Sequence, residues 1–437
     1  MTPSTSTSPH LRDTLRYLAT LQKSGIKFGL QNIAILLASV GNPHHRFPSV
    51  HIAGTNGKGS TSSMLSAVMT AAGYRTGLYT SPHLVAFAER IRVDGIRIPD
   101  QRIVRYLDHL KPVIEKLNAT FFEATTAIAM MYFAEENVDI AVIEAGLGGR
   151  LDSTNILTPL LSIITTVDYD HMDYLGTTLS SIAKEKAGIM KTSIPCLTAE
   201  TKNGVLSILA RRARQQRTPL LVLRELTDIT VSTSGIQGNV FSLETPMHSY
   251  RRLANELPGI HQVTNAGTAV LAAEFLSKYF RISTTNIRRG LKNTRRISGL
   301  QARLQIVRRK PLTIVDVAHN PQGVRCTVDS LTRFGFKYFI VVFAVMADKD
   351  SQTMLELLKP VATILVATQL KIHRALASEK IVQRARAVGI RAIQGGTTEK
   401  ALSRAVRLSK KNHAPILIIG SHYLAGEVLE KIHYTKT

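Results

Sequence analysis

The sequence predicts an α/β protein in two parts: an N-terminal domain with a mainly parallel sheet, and a smaller C-terminal α/β domain of Rossmann-like type. Three observations predict it. Short apolar runs alternate with helix-forming segments along the chain, the pattern of βαβ units. The first such run ends in a glycine-rich loop that leads into a helix, as at the sheet edge where α/β proteins bind ligands. The chain has 437 residues, more than one ordinary domain holds.

In order, residues 1–13 are Ser/Thr/Pro-rich and read as frayed. Leu15, Leu18, Leu21, Ile33, Leu36 and Leu37 suggest helices around a turn at GIKFGL. PSVHIAG (48–54) is a buried strand, 61–74 a helix with Gly73 past its end, and TGLYTSPH (76–83) a returning strand. ATTAIAMMYFAEEN (124–137) is a helix, VDIAVIEAGLGG (138–149) a strand and glycine loop, 160–171 a strand ending in Asp and His, and 180–190 a helix. A β-rich stretch covers 220–258, and 265–280 is a periodic helix. The basic segment 288–305 reads as the join, which divides the chain into domains 1–296 and 297–437. Strands within 312–323, 337–350, 362–368 and 415–423 make up the second domain.

Composition narrows the functional classes. Lys and Arg number 55 against 31 Asp and Glu, a net charge of +24. This favours anionic partners without naming one. Aromatic residues are only 6 % and the basic residues are dispersed, so a nucleic-acid platform is not expected. Two cysteines, Cys196 and Cys326, make neither a disulfide framework nor a zinc site. The apolar runs are too short to span a bilayer as helices, and the first residues carry no apolar signal core. A cytoplasmic protein is expected.

Four motifs carry chemistry. Gly54-Thr55-Asn56-Gly57-Lys58-Gly59-Ser60 suits phosphate binding: glycines turn backbone N–H groups inward, the helix N-terminus adds positive potential, and Lys58 neutralises phosphate charge. Its spacing is shorter than Walker A. Glu144, at a strand end before Gly146, Gly148 and Gly149, suits a magnesium ligand beside that loop. His171 in DYDHMDYLG, with Lys184 and Lys186 on the next helix, has no role that the residues alone assign. Asp316 and His319 in DVAHNP could hold a ribose or orient an amine. An Asn-Pro turn with a helix cap explains that motif equally well.

Taken in order, GTNGKGS, TSPH, FFEATT, IEAGLGGRLDSTN, DHMDYLG, EKAGI, HQVTNA, DVAHNP, DKD and GSHYLAGEV resemble the dihydrofolate synthase/folylpolyglutamate synthase family of the Mur ligase superfamily. The resemblance covers about residues 25–430. It implies a Mur-ligase-type central ATPase domain and a glutamate-ligase domain. The implied activity is ATP-dependent addition of L-glutamate to dihydropteroate and to folates through an acyl phosphate, by a monomer. On this resemblance Gly54, Thr55, Asn56, Gly57, Lys58, Gly59 and Ser60 hold the phosphates of ATP. Ser81 and Glu144 hold one Mg²⁺ and His171 a second, and Lys186 matches a carbamylated lysine. Asn265 matches an adenine contact, and Arg303 an arginine reaching the ATP phosphates from the second domain. Asp316, His319 and Ser421 face nucleotide and glutamate; Phe122, Glu123, Thr126 and Asp152 lie on the pterin side.

The chain departs from the family pattern in places. Ile297-Ser298-Gly299-Leu300-Gln301-Ala302-Arg303 stands where many members have Trp-Pro-Gly-Arg, and Ala88, Val317 and Ala344 replace Asn, Gly and Gly. None of these removes an expected metal ligand or Lys58. Another Mur-type amide ligase, such as one building peptidoglycan precursors, is the nearest alternative. Its additional N-terminal domain has no room before residue 54, and FFEATT favours a folate. A basic P-loop ATPase acting on nucleic acid, and a Mur-like fold that has lost catalysis, are weaker alternatives.

Overall fold

The computed structural model describes residues 9–22, 25, 27, 29–372 and 374–434. Residues 1–8 of the segment expected to fray lie outside these. Residues 9–13, expected to fray with them, instead open the helix Pro9–Leu21, because Leu11 and Leu18 on its inner face are buried.

The first sheet contains β1 (Ser49–Ala53), β2 (Thr76–Tyr79), β3 (Ile91–Val93), β4 (Ile96–Arg97), β5 (Ile140–Glu144), β6 (Leu161–Ile164), β7 (Cys196–Thr198) and β8 (Leu220–Val222). Their spatial order is β4-β3-β2-β5-β1-β6-β7-β8. The pairs β2–β3 and β3–β4 are antiparallel and the other pairs are parallel. β1, β2, β5 and β6 are buried along their whole length. That is why they read as continuous apolar runs rather than alternating ones.

A three-stranded antiparallel sheet follows: β9 (Asp228–Gly235), β10 (Gly238–Glu244) and β11 (Ser249–Asn255). The third sheet holds β12 (Gln305–Arg309), β13 (Leu312–Val315), β14 (Phe339–Phe343), β15 (Ala362–Gln369), β16 (Ala392–Thr397) and β17 (Ile416–Ile419). Its order is β12-β13-β17-β14-β15-β16, with only β12 antiparallel.

The helix Lys58–Ala71 is buried nearly all round. Its small residues, Ser60, Ser62, Ser63, Ser66 and Ala67, let the first sheet and the helices Ile260–Leu276 and Thr284–Lys292 pack closely against it. At Gly290 a Cβ would lie 2.6 Å from the Cα of Val68, so only glycine admits this approach. The segment expected to be a join is therefore partly a packed element. Helices Thr284–Lys292 and Thr294–Ser298 occupy its first part, and only 299–304 is loop before β12.

β1 lies between β5 and β6, so the carboxyl ends of all three point to one place. Ligands of open α/β sheets bind at such a reversal of strand order.

Candidate active site

The loop after β1 is built by three constraints. Gly54 has φ +150°, and a Cβ there would stand 1.9 Å from Thr165 Oγ1 at the end of β6. Gly57 has φ +87° and caps the helix that begins at Lys58; a Cβ there would meet Asn265 Oδ1 at 2.5 Å. Thr165 Oγ1 donates to Asn56 O at 2.7 Å and fixes the loop's crest. The free N–H groups of the helix start therefore face the cleft, as phosphate binding requires. Lys58 folds back to donate to Gly54 O (3.1 Å) and Thr55 O (3.3 Å).

Glu144 ends β5 beside this loop and is buried. Its Oε2 accepts the Ser81 N–H at 3.3 Å. Burial raises its pKa, opposed by Lys58, the Ser81 N–H and Arg303. Arg303 comes from the loop before β12, and a Cβ added at Gly59 would lie 3.5 Å from both Arg303 Nη2 and Glu144 Oε2. An arginine from the third sheet's side of the molecule thus reaches the first turn of the phosphate-loop helix. Burial lowers the Arg303 pKa, opposed by Asp316 and Glu144. Arg303 is flanked by Ala302 at φ +56° and Leu304 at φ +45°. Two non-glycine residues in the left-handed region store about 1–3 kcal/mol of strain each.

Lys186 lies on the helix Leu179–Ala187 with its side chain buried, and Nζ donates to Gly54 O at 2.8 Å. Burial, with Lys58 nearby, pushes its pKa down to about 7, opposed by Asp170 and Asp152. His171 has its pKa lowered to about 4 by burial, with Asp170 opposing and Lys349 and His319 adding to the shift. It is therefore a neutral imidazole at pH 7, the form that binds metal. Its Nε2 is 3.3 Å from Lys349 Nζ.

Asp170 joins the two sides of the cleft. One oxygen accepts from Lys349 Nζ at 2.5 Å; the other accepts from Asn320 Nδ2 at 3.1 Å and lies 3.6 Å from His319 Nε2. Burial alone would raise its pKa, but His319, His171 and Lys349 hold it far below the usual carboxylate range. Asn56 of the phosphate loop also bonds Asn320 and Gln322.

Several expected residues are engaged by their own surroundings. Glu123 accepts the N–H and hydroxyl of Thr120 at 2.7 and 2.9 Å, closing a capping box at the helix Phe121–Glu135. Thr126 bonds the buried Tyr79 hydroxyl. Phe122 packs against Tyr79 and over Gly146, where a Cβ would meet its ring at 2.5 Å. Asp152 accepts the N–H groups of Leu147 and Thr154 and so braces the glycine loop after Glu144. Asp316 accepts from Ala318 N, Leu304 N and Thr327 Oγ1. Ser421 Oγ accepts from Leu424 N at the start of the last helix. Asn265 bonds Gln262 beside Gly57.

Asp170, Lys349, Gln322 and His422 have no role that the sequence assigns, whereas Asn320 is the helix cap of the Asn-Pro turn, accepting Gly323 N at 2.8 Å. Asp170 and Lys349 stand inside the DYDH and DKD motifs, but nothing in the chain order pairs them. His422 stacks near His319, with ring centroids 4.8 Å apart, and lines the cleft that holds Ser81, Glu144 and Arg303.

For a magnesium ion the donor set fits: the Ser81 hydroxyl and Glu144 carboxylate are hard oxygens beside a phosphate loop. Among the described residues no three His, Cys, Asp or Glu side chains gather as a metal cluster. A magnesium ion held there would take its remaining ligands from phosphate oxygens and water.

A phosphate loop at a strand-order reversal, a buried carboxylate beside it and an arginine reaching in from a second α/β unit define a two-part ATP-dependent ligase. Residues 52–273 match the Mur ligase middle domain, and residues 302–422 the Mur ligase glutamate ligase domain. The chain is 34 % identical over 420 residues to the dihydrofolate synthase/folylpolyglutamate synthase of Bacillus subtilis (strain 168), covering 94 % of this chain and 96 % of that one. Mycobacterium tuberculosis folylpolyglutamate synthase, complexed with ADP and AMPPCP, superposes with TM-score 0.89 at 29 % identity over 97 % of this chain and 99 % of the other. Escherichia coli FolC in complex with DHPP and ADP gives TM-score 0.88 at 27 % identity over all of both chains. The chain belongs to the dihydrofolate synthase/folylpolyglutamate synthase family of Mur ligases. No helix among the described residues is long and apolar enough to cross a membrane.

Proposed function

We propose that this protein joins L-glutamate to dihydropteroate, forming dihydrofolate, and to existing folates, extending their glutamate tail, with ATP converted to ADP and phosphate. The observation that carries this reading is Arg303 standing over Gly59 and Glu144. It supports ATP bound between a phosphate-loop domain (1–296) and a glutamate-ligase domain (297–437), as the family relationship implies.

The chemistry follows from the substrate. A carboxylate is a poor electrophile at neutral pH. Its oxygen attacks the γ-phosphorus of ATP, ADP leaves, and the resulting acyl phosphate has a good leaving group. The glutamate amine adds to the carbonyl carbon, loses a proton and expels phosphate. Lys58 and Arg303 neutralise charge on the transferring group from two sides, which is where phosphoryl transfer gains most of its rate. Gly54 to Ser60 hold the phosphates and Asn265 the adenine side. Phe122, Glu123, Thr126 and Asp152 shape the pterin side. Asp316, His319 and Ser421 belong to the face that receives glutamate.

Magnesium, when bound, supplies charge neutralisation at phosphate oxygens. Ser81 and Glu144 would hold one ion and His171 a second. Lys186 would serve the second site as a carbamate. Its lowered pKa leaves a large fraction of the amine neutral at pH 7, the form that adds to CO₂, and the product is an anionic oxygen ligand. On this reading the protein is a cytoplasmic monomer acting on small molecules, not on nucleic acid.

The test is ADP release by the purified protein. It should be glutamate-dependent with dihydropteroate and with tetrahydrofolate. No glutamate-dependent ADP with either would refute the reading, and activity only with a peptidoglycan precursor would favour the other Mur-type ligase.

A further inference from the structure

We propose that Arg295 is the residue that positions Arg303 on the phosphate loop. The inference rests on the reading of Arg303 as the arginine that reaches the ATP phosphates. The segment 297–303 that leads to Arg303 is loop from Gly299 onward, so its conformation depends on the bonds made to it.

Arg303 sits between Ala302 and Leu304, both at positive φ, a conformation that persists only when its surroundings impose it. Four hydrogen bonds do so. Ala302 N donates to Gln305 Oε1 at 2.7 Å, Val317 N donates to Ala302 O at 3.1 Å, and Leu304 N donates to Asp316 Oδ2 at 2.8 Å. The fourth is on Arg303 itself: Arg295 Nη2 donates to Arg303 O at 2.8 Å. The first three tie the loop to neighbours on its own side, in β12 and the segment after β13. Gly299 N and Leu300 N hold the start of the loop to Arg295 O and Ser298 Oγ, and the fourth bond ties Arg303 itself to the helices packed on the phosphate-loop helix. It therefore fixes where Arg303 stands relative to Gly59 and Glu144.

Arg295 is itself anchored. Its backbone N–H donates to Glu256 Oε1 at 2.6 Å, immediately after β11. Its Nε is buried without a partner, an unfavourable feature for a side chain whose only task is packing. The three-stranded antiparallel sheet thereby gains a part in the reaction: it holds Glu256, which holds Arg295, which holds Arg303.

The experiment is a double-mutant cycle on the full-length protein, read as kcat and KM for glutamate-dependent ADP release, with melting curves for each variant. Arg295→Met should lower kcat about tenfold or more, the effect of losing a hydrogen bond from a charged donor, with the KM for glutamate unchanged. Arg295→Lys, which keeps a donor, should recover most of it. In the Arg303→Ala background, Arg295→Met should change kcat less than about twofold, because a residue acting through Arg303 has nothing left to position. A purely structural role would instead multiply the two losses, and that result overturns the inference. Normal turnover by Arg295→Met overturns it as well. Arg303→Ala with normal turnover would refute the reading of Arg303 and the inference with it. An impaired Arg303→Ala beside additive behaviour refutes the inference alone.

Discussion

Replacing Gly54 by alanine tests how tightly the phosphate loop is built. Gly54 adopts φ +150°, and the new Cβ would lie 1.9 Å from Thr165 Oγ1, 3.1 Å from Thr165 Cβ and 3.3 Å from Thr165 N. The loop must open by roughly 1 Å to reach even a tight contact. Rotating Thr165 away would relieve the worst overlap but lose its bond to Asn56 O, at about 1 kcal/mol. Holding an L-residue at positive φ adds about 1–2 kcal/mol. The total of about 2–3 kcal/mol corresponds to a fall in Tm of roughly 3–5 °C for a unit of about 300 residues. The same shift moves Gly54 O, which receives both Lys58 and Lys186. A displacement of about 1 Å at reacting groups costs about 100-fold in kcat. Both quantities are measurable, by scanning calorimetry and by ADP release. Thr165→Ala should leave most of the activity, and Gly54→Ala/Thr165→Ala should recover about tenfold over Gly54→Ala, because the principal overlap is gone. Wild-type Tm and kcat in Gly54→Ala, or a double variant no better than the single one, would refute the reasoning.

Glu144→Gln should show opposite signs in two assays. Turnover should fall at least about 100-fold. Burial raises the folded-state pKa of Glu144, so its contribution to stability is present below the unfolded value and lost as pH rises through the folded one. Urea denaturation at pH 8 should therefore find the ligand-free variant as stable as wild type or more so, and a loss above about 1 kcal/mol would contradict this. Lys186 shifts the other way: its folded pKa is about 7 against 10.5. The unfolded chain binds the extra proton between those values, so stability in carbonate-free buffer should rise with pH from about 7 to 10.5, by up to ~1.4 kcal/mol per pH unit. Lys186→Met should remove that rise. Lys349→Met leaves the buried Asp170 without its 2.5 Å partner and should cost about 3 kcal/mol in denaturant unfolding. Lys349→Met/Asp170→Asn should regain much of that loss, and full stability in the single variant would contradict the role of the pair.

The buried parallel strands and the phosphate loop were readable because their signals are local. A strand buried on both faces is continuously apolar, and a glycine loop between strand and helix can be seen within a dozen residues. The helix Asp100–Leu117 was equally local, with Ile103, Tyr106, Leu107, Leu110 and Ile114 buried on one face, and its periodicity went unread. So did the Thr120-x-x-Glu123 capping box, a four-residue signature inside a motif read for the pterin side. What chain order hides is pairing at a distance. Asp170 and Lys349 are 179 residues apart and meet only because the loops after β6 and β14 come together. Likewise, that Arg295 bonds the carbonyl of Arg303 depends on how the loop 299–304 turns back, and two positive φ values at Ala and Leu have no compositional signal.

The acyl-phosphate reaction is tested most directly by isotope transfer. Dihydropteroate labelled with ¹⁸O in its carboxylate is turned over with ATP, Mg²⁺ and glutamate, and the released phosphate is analysed by mass. If the carboxylate attacks the γ-phosphorus and glutamate later displaces phosphate, one labelled oxygen leaves with each phosphate. Phosphate free of label, with ADP and dihydrofolate formed, would contradict the account.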